Sequence, residues 1–261
     1  MQSEVGMKPL GTSRSPVTAA ALFLLVLAAP PLVAQPDVRV TVPTMKDSRY
    51  RVGTGDPDGS LVLFTQLEGG GLESARAFRI TLTGASDDTG RSLLPETGAP
   101  PSWEKEKNSM NLWMRLLSPA RAASKVTVTG VLDLYVPSLD PAAEVKVENA
   151  LARAGKPIVS KGLKAAKVEV VVAPKSQTPE GSIVLLVRAP DLGRLRGVTV
   201  VRRDGTAVGI SASASSSTDD RKTMELGLSE AAPPDAALVF SLLTEKSVVS
   251  VPFELRDVPL P

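Results

Sequence analysis

The triplet Asp88-Thr89-Gly90 is the one motif in this sequence with a catalytic reputation. In aspartic proteases such a turn presents a carboxylate that shares one proton with a second, close carboxylate. This sequence has no second Asp-Thr/Ser-Gly triplet, and polar residues flank the first one. A turn that needs an aspartate as a side-chain cap and a glycine with positive φ accounts for the same residues. We therefore interpret the triplet as a turn.

Carboxylates in loops offer a second kind of chemistry, because calcium is bound by oxygen ligands and needs neither histidine nor cysteine. Asp87 and Asp88 lie together in a predicted loop, and two other aspartate pairs occur within 56–58 and 219–220. None of these pairs has the full spacing of an EF-hand loop, and solvated turns contain the same residues. We take Asp87 and Asp88 as candidate calcium ligands, and we otherwise predict no cofactor.

The two tryptophans, Trp103 and Trp113, are candidate ligand contacts. An exposed indole offers a flat apolar face for stacking, so a coplanar exposed pair would favour a carbohydrate ligand. Trp113 alternates with Leu112 and Met114, and the alternation alone allows either side of that strand to be the inner one. Packing in the core or at its rim is the competing interpretation of both tryptophans.

The composition excludes most other functions. The 261 residues include no histidine and no cysteine, which excludes imidazole bases, thiol nucleophiles and ordinary zinc, haem or iron-sulfur ligation. A net charge of +2, from 30 basic and 28 acidic side chains, creates no field that would gather nucleic acid. A hydrolase that uses carboxylates alone remains open. It is disfavoured because no two carboxylates occupy strand positions that would hold them about 5 to 10 Å apart. We predict that the protein is not an enzyme.

The first 34 residues have the layout of a secretory signal peptide. Lys8 and Arg14 precede an apolar run at 17–29, two prolines end the run, and Ala34 offers a small residue for cleavage. The run is short for the roughly 20 residues that span a bilayer, although an uncleaved N-terminal anchor is the alternative. No later segment is apolar enough to cross a membrane. We expect a periplasmic or extracellular protein without an integral membrane segment after cleavage, whose cores need no disulfides.

From residue 37 onward, apolar and polar residues alternate over short runs bounded by Pro, Gly, Asp or Ser, which is typical of β-strands. The predicted strands are 38–42, 61–65, 78–83, 111–117, 126–135, 168–173, 183–188, 198–202, 207–212, 223–228, 237–243 and 248–255. The stretch 140–155 is ambiguous, and we favour a short strand followed by a turn of helix. Two segments, 86–109 and 211–220, have the composition of mobile loops. The pattern predicts an all-β protein.

The two halves of the exported part repeat one another roughly 110 to 120 residues apart, too long a period for a solenoid repeat. The matching positions are Leu72, Arg76, Phe78, Ile80, Leu112, Met114, Val126 and Val128 in the first half and Leu192, Arg196, Val198, Val200, Met224, Leu226, Leu238 and Phe240 in the second. Each half has the length and strand number of an immunoglobulin-like β-sandwich. We therefore predict a signal peptide at 1–34 and two tandem sandwich domains at 35–150 and 156–261.

Three segments at 85–94, 116–122 and 251–261 carry a resemblance to a known group of proteins. They contain an Asp-Asp-x-Gly turn, a strand that ends in a Pro-Ala corner, and a last strand with Pro-Phe. In this the chain resembles exported bacterial proteins of uncharacterised function with tandem immunoglobulin-like domains. The resemblance implies no activity and no site residue.

We expect an exported, non-enzymatic protein that presents a β-sandwich surface to a protein or a cell-envelope component. A carbohydrate-binding module is the alternative, ahead of a carboxylate-dependent hydrolase.

Overall fold

The computed structural model describes residues 37–50, 58–95, 102–105 and 111–261, so the predicted signal peptide at 1–34 lies outside the described residues. The described chain is all-β and forms four antiparallel sheets, which confirms the predicted class. The strands are β1 (Val38–Tyr50), β2 (Asp58–Gly69), β3 (Ala77–Asp87), β4 (Glu104–Lys105), β5 (Asn111–Leu117), β6 (Lys125–Tyr135), β7 (Glu144–Val147), β8 (Glu169–Val172), β9 (Ser182–Arg188), β10 (Leu195–Val201), β11 (Ile210–Ser217), β12 (Arg221–Leu228), β13 (Ala237–Leu242) and β14 (Val248–Pro259). One short α-helix, α1 (Lys161–Ala165), lies between β7 and β8 in the described part of the chain. Short 3-10 turns occur at Leu72–Ser74, Pro137–Leu139, Pro141–Ala143, Leu151–Arg153, Lys175–Gln177, Leu192–Arg194 and Glu245–Ser247.

The first sheet pair consists of the sheet β1-β2-β5 and the sheet β14-β6-β3-β4. Alternate residues of each strand point into the space between the two sheets. Leu61 and Leu63 on β2 are fully buried, as are Leu132 and Leu134 on β6. The alternation follows from the two-residue period of a strand, and it gives each sheet one apolar face.

The second sheet pair consists of the sheet β10-β13-β7 and the sheet β11-β12-β9-β8. Its core is a single cluster that includes Val170, Leu185, Leu238 and Phe240, all of them fully buried. Apart from Phe240, the buried side chains of this cluster are aliphatic, as the sequence predicted for a chain without cysteine.

The last strand differs from the sequence-based division into domains. That division placed 248–255 in the second domain, yet β14 pairs with β6 of the first sheet pair. Phe253 of β14 lies opposite Gly130 of β6, and a Cβ at Gly130 would be 2.7 Å from the Phe253 ring. A large ring over a glycine is a specific cross-strand fit. Residues 248–261 therefore complete the first sheet pair.

A second difference concerns the segment 140–155, which the domain division placed in the first domain. Its short strand and its turn of helix are present as β7 and Leu151–Arg153, as predicted. However, β7 pairs with β13, so it belongs to the second sheet pair. The second pair is thus inserted between β6 and β14 of the first.

The two connections across this insertion run side by side. The Val136 amide donates a hydrogen bond to the Ser247 carbonyl at 2.7 Å. The Thr244 hydroxyl donates to Asp140 at 2.6 Å, and this hydrogen bond, together with one from the Ala142 amide, lowers the pKa of the Asp140 carboxyl. Hydrogen bonds therefore link the two connections between the first and the second sheet pair.

Every predicted strand overlaps an observed one, but one loop prediction was wrong. The Ser and Ala tract expected to be mobile at 211–220 contains β11, which pairs with β12 along its length. Polar composition favoured a loop, whereas the hydrogen bonds to β12 provide the strand.

None of the described helices is long and apolar enough to span a bilayer.

Candidate interaction surface

Asp87 ends β3 and caps the turn that follows. Its Oδ1 accepts hydrogen bonds from the amide and hydroxyl of Thr89, at 3.0 and 2.6 Å, and from the Arg91 amide at 3.0 Å. Its Oδ2 accepts one from the Ala120 amide at 2.8 Å. Burial acts to raise the pKa of Asp87, but these hydrogen bonds outweigh it and the pKa is lowered. The buried carboxylate joins the turn to the corner after β5.

Asp88 connects the same turn to Ser124, the residue before β6. Its carboxylate accepts hydrogen bonds from the amide and the hydroxyl of Ser124, the latter at 2.6 Å, and these lower its pKa. No cluster of three or more metal-ligating side chains occurs in the residues that the structure describes. Because amide and hydroxyl donors face the oxygens of Asp87 and Asp88, the geometry favours the turn role over a calcium site.

The second sheet pair builds a turn with the same backbone hydrogen bonds between Arg202 and Thr206, and its aspartate, Asp204, lies two positions later in the turn than Asp87 does in the first. The Asp204 carboxylate accepts from the amide and hydroxyl of Thr206, at 2.9 and 2.7 Å, as Asp87 accepts from Thr89. Gly90 and Gly205 have φ of 86° and 87°. Left-handed glycine with an aspartate cap is turn chemistry, so the interpretation of Asp88-Thr89-Gly90 as a turn agrees with this geometry.

Trp103 lies where the two sheet pairs meet, just before β4. Its ring stacks against the guanidinium of Arg79, 4.7 Å from the ring centre, and against that of Arg196 at 5.5 Å. Tyr135 contacts it edge-on with ring centres 6.4 Å apart. We call Arg79, Trp103, Tyr135 and Arg196 the Trp103 junction. It joins β3 and β6 of the first sheet pair to β10 of the second.

Hydrogen bonds hold the junction in place. Arg79 makes an ion pair of 2.7 Å with Asp133, which also accepts from the Ser250 hydroxyl at 2.6 Å. The Tyr135 hydroxyl donates to the Leu242 carbonyl at 3.2 Å. Burial, assisted by the nearby charge of Glu144, raises the pKa of Tyr135 to about 12. Trp103 therefore packs between residues of the two sheet pairs.

Replacing Trp103 with alanine should lower the free energy of unfolding by about 2–4 kcal/mol, because two cation–π contacts and the ring packing are lost. Urea unfolding followed by circular dichroism measures this. Fluorescence is a second measurement. In a Trp113→Phe background Trp103 is the sole tryptophan, so its emission during unfolding reports on the Trp103 junction. An unchanged midpoint for Trp103→Ala would show that the ring does not join the sheet pairs.

Trp113 lies on the opposite side of its strand from the core. Leu112, Met114 and Leu116 are buried, whereas Trp113 is 73% exposed. Its ring packs edge-on against Phe64, 5.8 Å between ring centres. Among the described residues, Trp103 has ring contacts with Arg79, Tyr135 and Arg196, and Trp113 has one with Phe64. No contact between the two indoles is present among these ring contacts of the described residues, so the structure does not pair the two rings as a sugar platform would require.

Neighbours on β1 and β2 extend the surface around Trp113. Thr44, Phe64 and Trp113 form one row across the three strands, because Phe64 lies opposite both of the others. Lys46, Val62 and Arg115 form the next row in the same way. Along a strand, residues two apart are separated by about 7 Å, so the aromatic row lies directly beside the row with two cations. We call these six residues the Trp113 face.

Sequence reasoning found Trp113 but missed the rest of the Trp113 face. The signal was the phase of β2, where Leu61, Leu63 and Leu67 alternate with Val62 and Phe64, but only pairing shows which residues share a row. No known family model, curated protein or solved structure matches this chain.

Proposed function

We propose that this chain is an exported, non-enzymatic interaction protein of two immunoglobulin-like sandwich domains, and that the Trp113 face binds its protein or cell-envelope partner. Strand order supports the domain type. Immunoglobulin constant domains have sheets of order A-B-E-D and C-F-G. The second sheet pair has the orders β8-β9-β12-β11 and β10-β13-β7, with β7 at the G position. The first has β1-β2-β5 at the A, B and E positions, with no D strand among the described residues, and β14-β6-β3-β4, with β14 at the G position and β4 next to the C strand.

The internal repeat supports the same proposal. The sequence match pairs β3 with β10, β5 with β12 and β6 with β13, and these occupy equivalent C, E and F positions in the strand orders. The turns at Asp87 and Asp204 both follow the C strand. A duplication explains why strands that match in sequence also occupy equivalent positions in the two strand orders.

The observation that carries the binding proposal is the 73% exposure of Trp113 beside Phe64. Exposing a large aromatic surface to water is unfavourable, and tryptophan is enriched among the residues that dominate binding energy at protein interfaces. Asp88, the acid of the Asp-Thr-Gly triplet, accepts from the Ser124 hydroxyl, and its neighbour Asp87 caps the turn. These structural roles support a non-enzymatic function.

The charge of the Trp113 face supports one partner chemistry. Lys46 and Arg115 flank Val62 and are exposed, and neither row of the face contains an acidic residue. A partner that presents a carboxylate about 7 Å from an apolar or aromatic group matches both rows. We therefore propose an acidic partner segment with a hydrophobic anchor.

Trp113→Ala should weaken binding to the native envelope fraction by about 10- to 100-fold, because the central anchor is removed. Binding is measured by co-sedimentation of the purified protein with that fraction over a concentration series. The thermal midpoint should remain close to that of the parent, since the indole is exposed. Lys46→Glu with Arg115→Glu should weaken binding as well, most strongly at low salt.

Leu186→Ala is the matched control, because Leu186 is another exposed hydrophobic residue, 43% exposed, on the second sheet pair. Binding that is equally weak for Trp113→Ala and Leu186→Ala would refute the Trp113 face as the docking site.

The exposed indole also favours carbohydrate binding as a second candidate function. Protease treatment of the envelope fraction abolishes binding if the partner is a protein, and periodate oxidation abolishes it if the partner is a glycan.

A further inference from the structure

An open cleft of about 680 Å³ lies in the second sheet pair, away from the Trp113 face. It forms where the segment before α1, the end of α1, the start of β8 and the end of β9 meet. Small-molecule sites in proteins have volumes of about 300–1,000 Å³ and are mostly apolar with a few polar groups. The apolar part of the wall is Pro157, Ile158, Val159, Val168, Ala189 and Pro190.

Val159 is the first unusual feature of this cleft. It is 82% exposed, although Ile158 and Val168 beside it are buried. An aliphatic side chain at the edge of an apolar wall gains free energy if a ligand covers it. The wall therefore favours a ligand with an aliphatic body.

The charges on the wall are the second feature. Lys164, Lys167 and Arg188 line the cleft together with Glu169 and Asp220. Arg188 is paired with Asp220 at 3.0 Å, so that pair is already neutralised. Among the described residues, neither Lys164 nor Lys167 has a carboxylate within ion-pair distance. After the Arg188–Asp220 pair, two lysines and the carboxylate of Glu169 remain on the wall, so its excess is one positive charge. This excess favours an anionic group on the ligand, placed on the side of the two lysines.

The backbone of Lys167 is the third feature. Its φ of 57° is left-handed, and the other non-glycine residues with positive φ in the described chain are Asn149 and Asp257. Asn and Asp tolerate this conformation, whereas lysine does not favour it. Lys167 follows Ala166, the C-cap of α1, at the position where helix ends normally use glycine. The Val168 amide donates to the Leu163 carbonyl at 2.9 Å, as in that kind of helix end. A lysine here costs stability and places a cation at the cleft.

We propose that this cleft binds a small amphipathic anion, with an alkyl body against Val159 and Ile158 and a carboxylate between Lys164 and Lys167. The ligand class is an alkyl carboxylate. The cleft is separate from the Trp113 face, so the Trp113→Ala variant should bind an alkyl carboxylate with the same affinity as the parent protein.

Sodium octanoate is the probe, and its binding is followed by ¹H–¹⁵N NMR titration of the full exported chain. The expected result is a shift of the Ile158, Val159 and Ala189 amides. Octanoate should bind at least about 5-fold more tightly than octyltrimethylammonium, which has the same tail and the opposite charge, and than acetate, which lacks the tail. Equal affinity for octanoate and octyltrimethylammonium would overturn the proposal. Binding to anionic phospholipid vesicles without binding to octanoate would also overturn it.

Lys167→Gly separates a ligand role from a structural one. Glycine relieves the left-handed backbone, so the thermal midpoint should rise by about 2–4 °C. Octanoate affinity should nevertheless fall by about 3- to 10-fold, and further in combination with Lys164→Ala. Lys175→Ala is the charge-matched control, since Lys175 is exposed and does not line the cleft. A more stable Lys167→Gly protein with unchanged octanoate affinity would show that Lys167 has no part in binding.

Discussion

A chain truncated after Ser247 should lose the fold of the first sheet pair and keep that of the second. The truncation removes six partly buried apolar side chains that pack on the first sheet pair, Val249, Val251, Phe253, Leu255, Val258 and Leu260. At about 1–1.5 kcal/mol each, their loss costs about 6–9 kcal/mol. Domains are stable by only about 5–15 kcal/mol, so the first sheet pair should unfold. Hydrogen exchange should show lost protection at 58–95 and 111–135 and retained protection at 182–188 and 237–242.

The control keeps β14 and changes its solvent side. Glu254 and Arg256 pair with each other at 2.7 Å and are exposed, so the double variant Glu254→Ala and Arg256→Ala should unfold close to the parent midpoint. A synthetic peptide of residues 248–261 added to the truncated chain should restore protection at β6. Loss of protection in the second sheet pair instead of the first would contradict the observed strand order.

This experiment tests the step that sequence reasoning could not make. Alternation within 248–255 shows that the segment is a strand with one apolar face, and this is a local property. Which sheet the strand joins depends on contacts with residues more than 100 positions away, such as Gly130 opposite Phe253. The same limit applies to β7, whose partner β13 is about 90 residues away in the chain. Local patterns therefore predicted the strands, and the domain boundaries required pairing.

For the candidate sites too, local patterns predicted some features and long-range contacts were needed for the others. The phase of Leu112 and Met114 placed Trp113 opposite to both, but the buried Leu63 opposite Met114 was needed to show which side faces the core. For Trp103, no local pattern indicates stacking between Arg79 and Arg196, which belong to different sheet pairs. The turn interpretation of Asp87 to Gly90 needed no long-range information, because an aspartate cap and a glycine act within four residues.

Asp87 connects that local turn to a distant corner, and its replacement should have the second large effect. Asp87→Ala should lower the free energy of unfolding by about 3–5 kcal/mol, because the donors of Thr89, Arg91 and Ala120 lose a buried ionised acceptor. Asp87→Asn should cost about 2–3 kcal/mol, since its NH₂ group replaces the Oδ2 that accepts from the Ala120 amide. Urea unfolding at pH 7 measures both.

The effect should depend on pH with a definite sign. The pKa of Asp87 is lowered in the folded protein, so its carboxylate stabilises the fold fully above the unfolded pKa of about 3.9. That contribution is lost as the pH falls through the folded pKa. The stability difference between the parent and Asp87→Asn should therefore be constant from about pH 7 to 5 and shrink below about pH 4.

The matched control is Asp204→Asn, in the equivalent turn of the second sheet pair. Asp204 is exposed and accepts from Thr206 within its own turn, without a bond to a distant corner like that from Ala120 to Asp87. Its replacement should have a clearly smaller effect on the unfolding midpoint. Equal losses at the two positions would mean that the bonds from the Arg91 and Ala120 amides add nothing beyond the contacts with the threonine of the turn. A larger loss at Asp87 means that one buried carboxylate joins β3, the corner after β5 and the turn into a single packed unit.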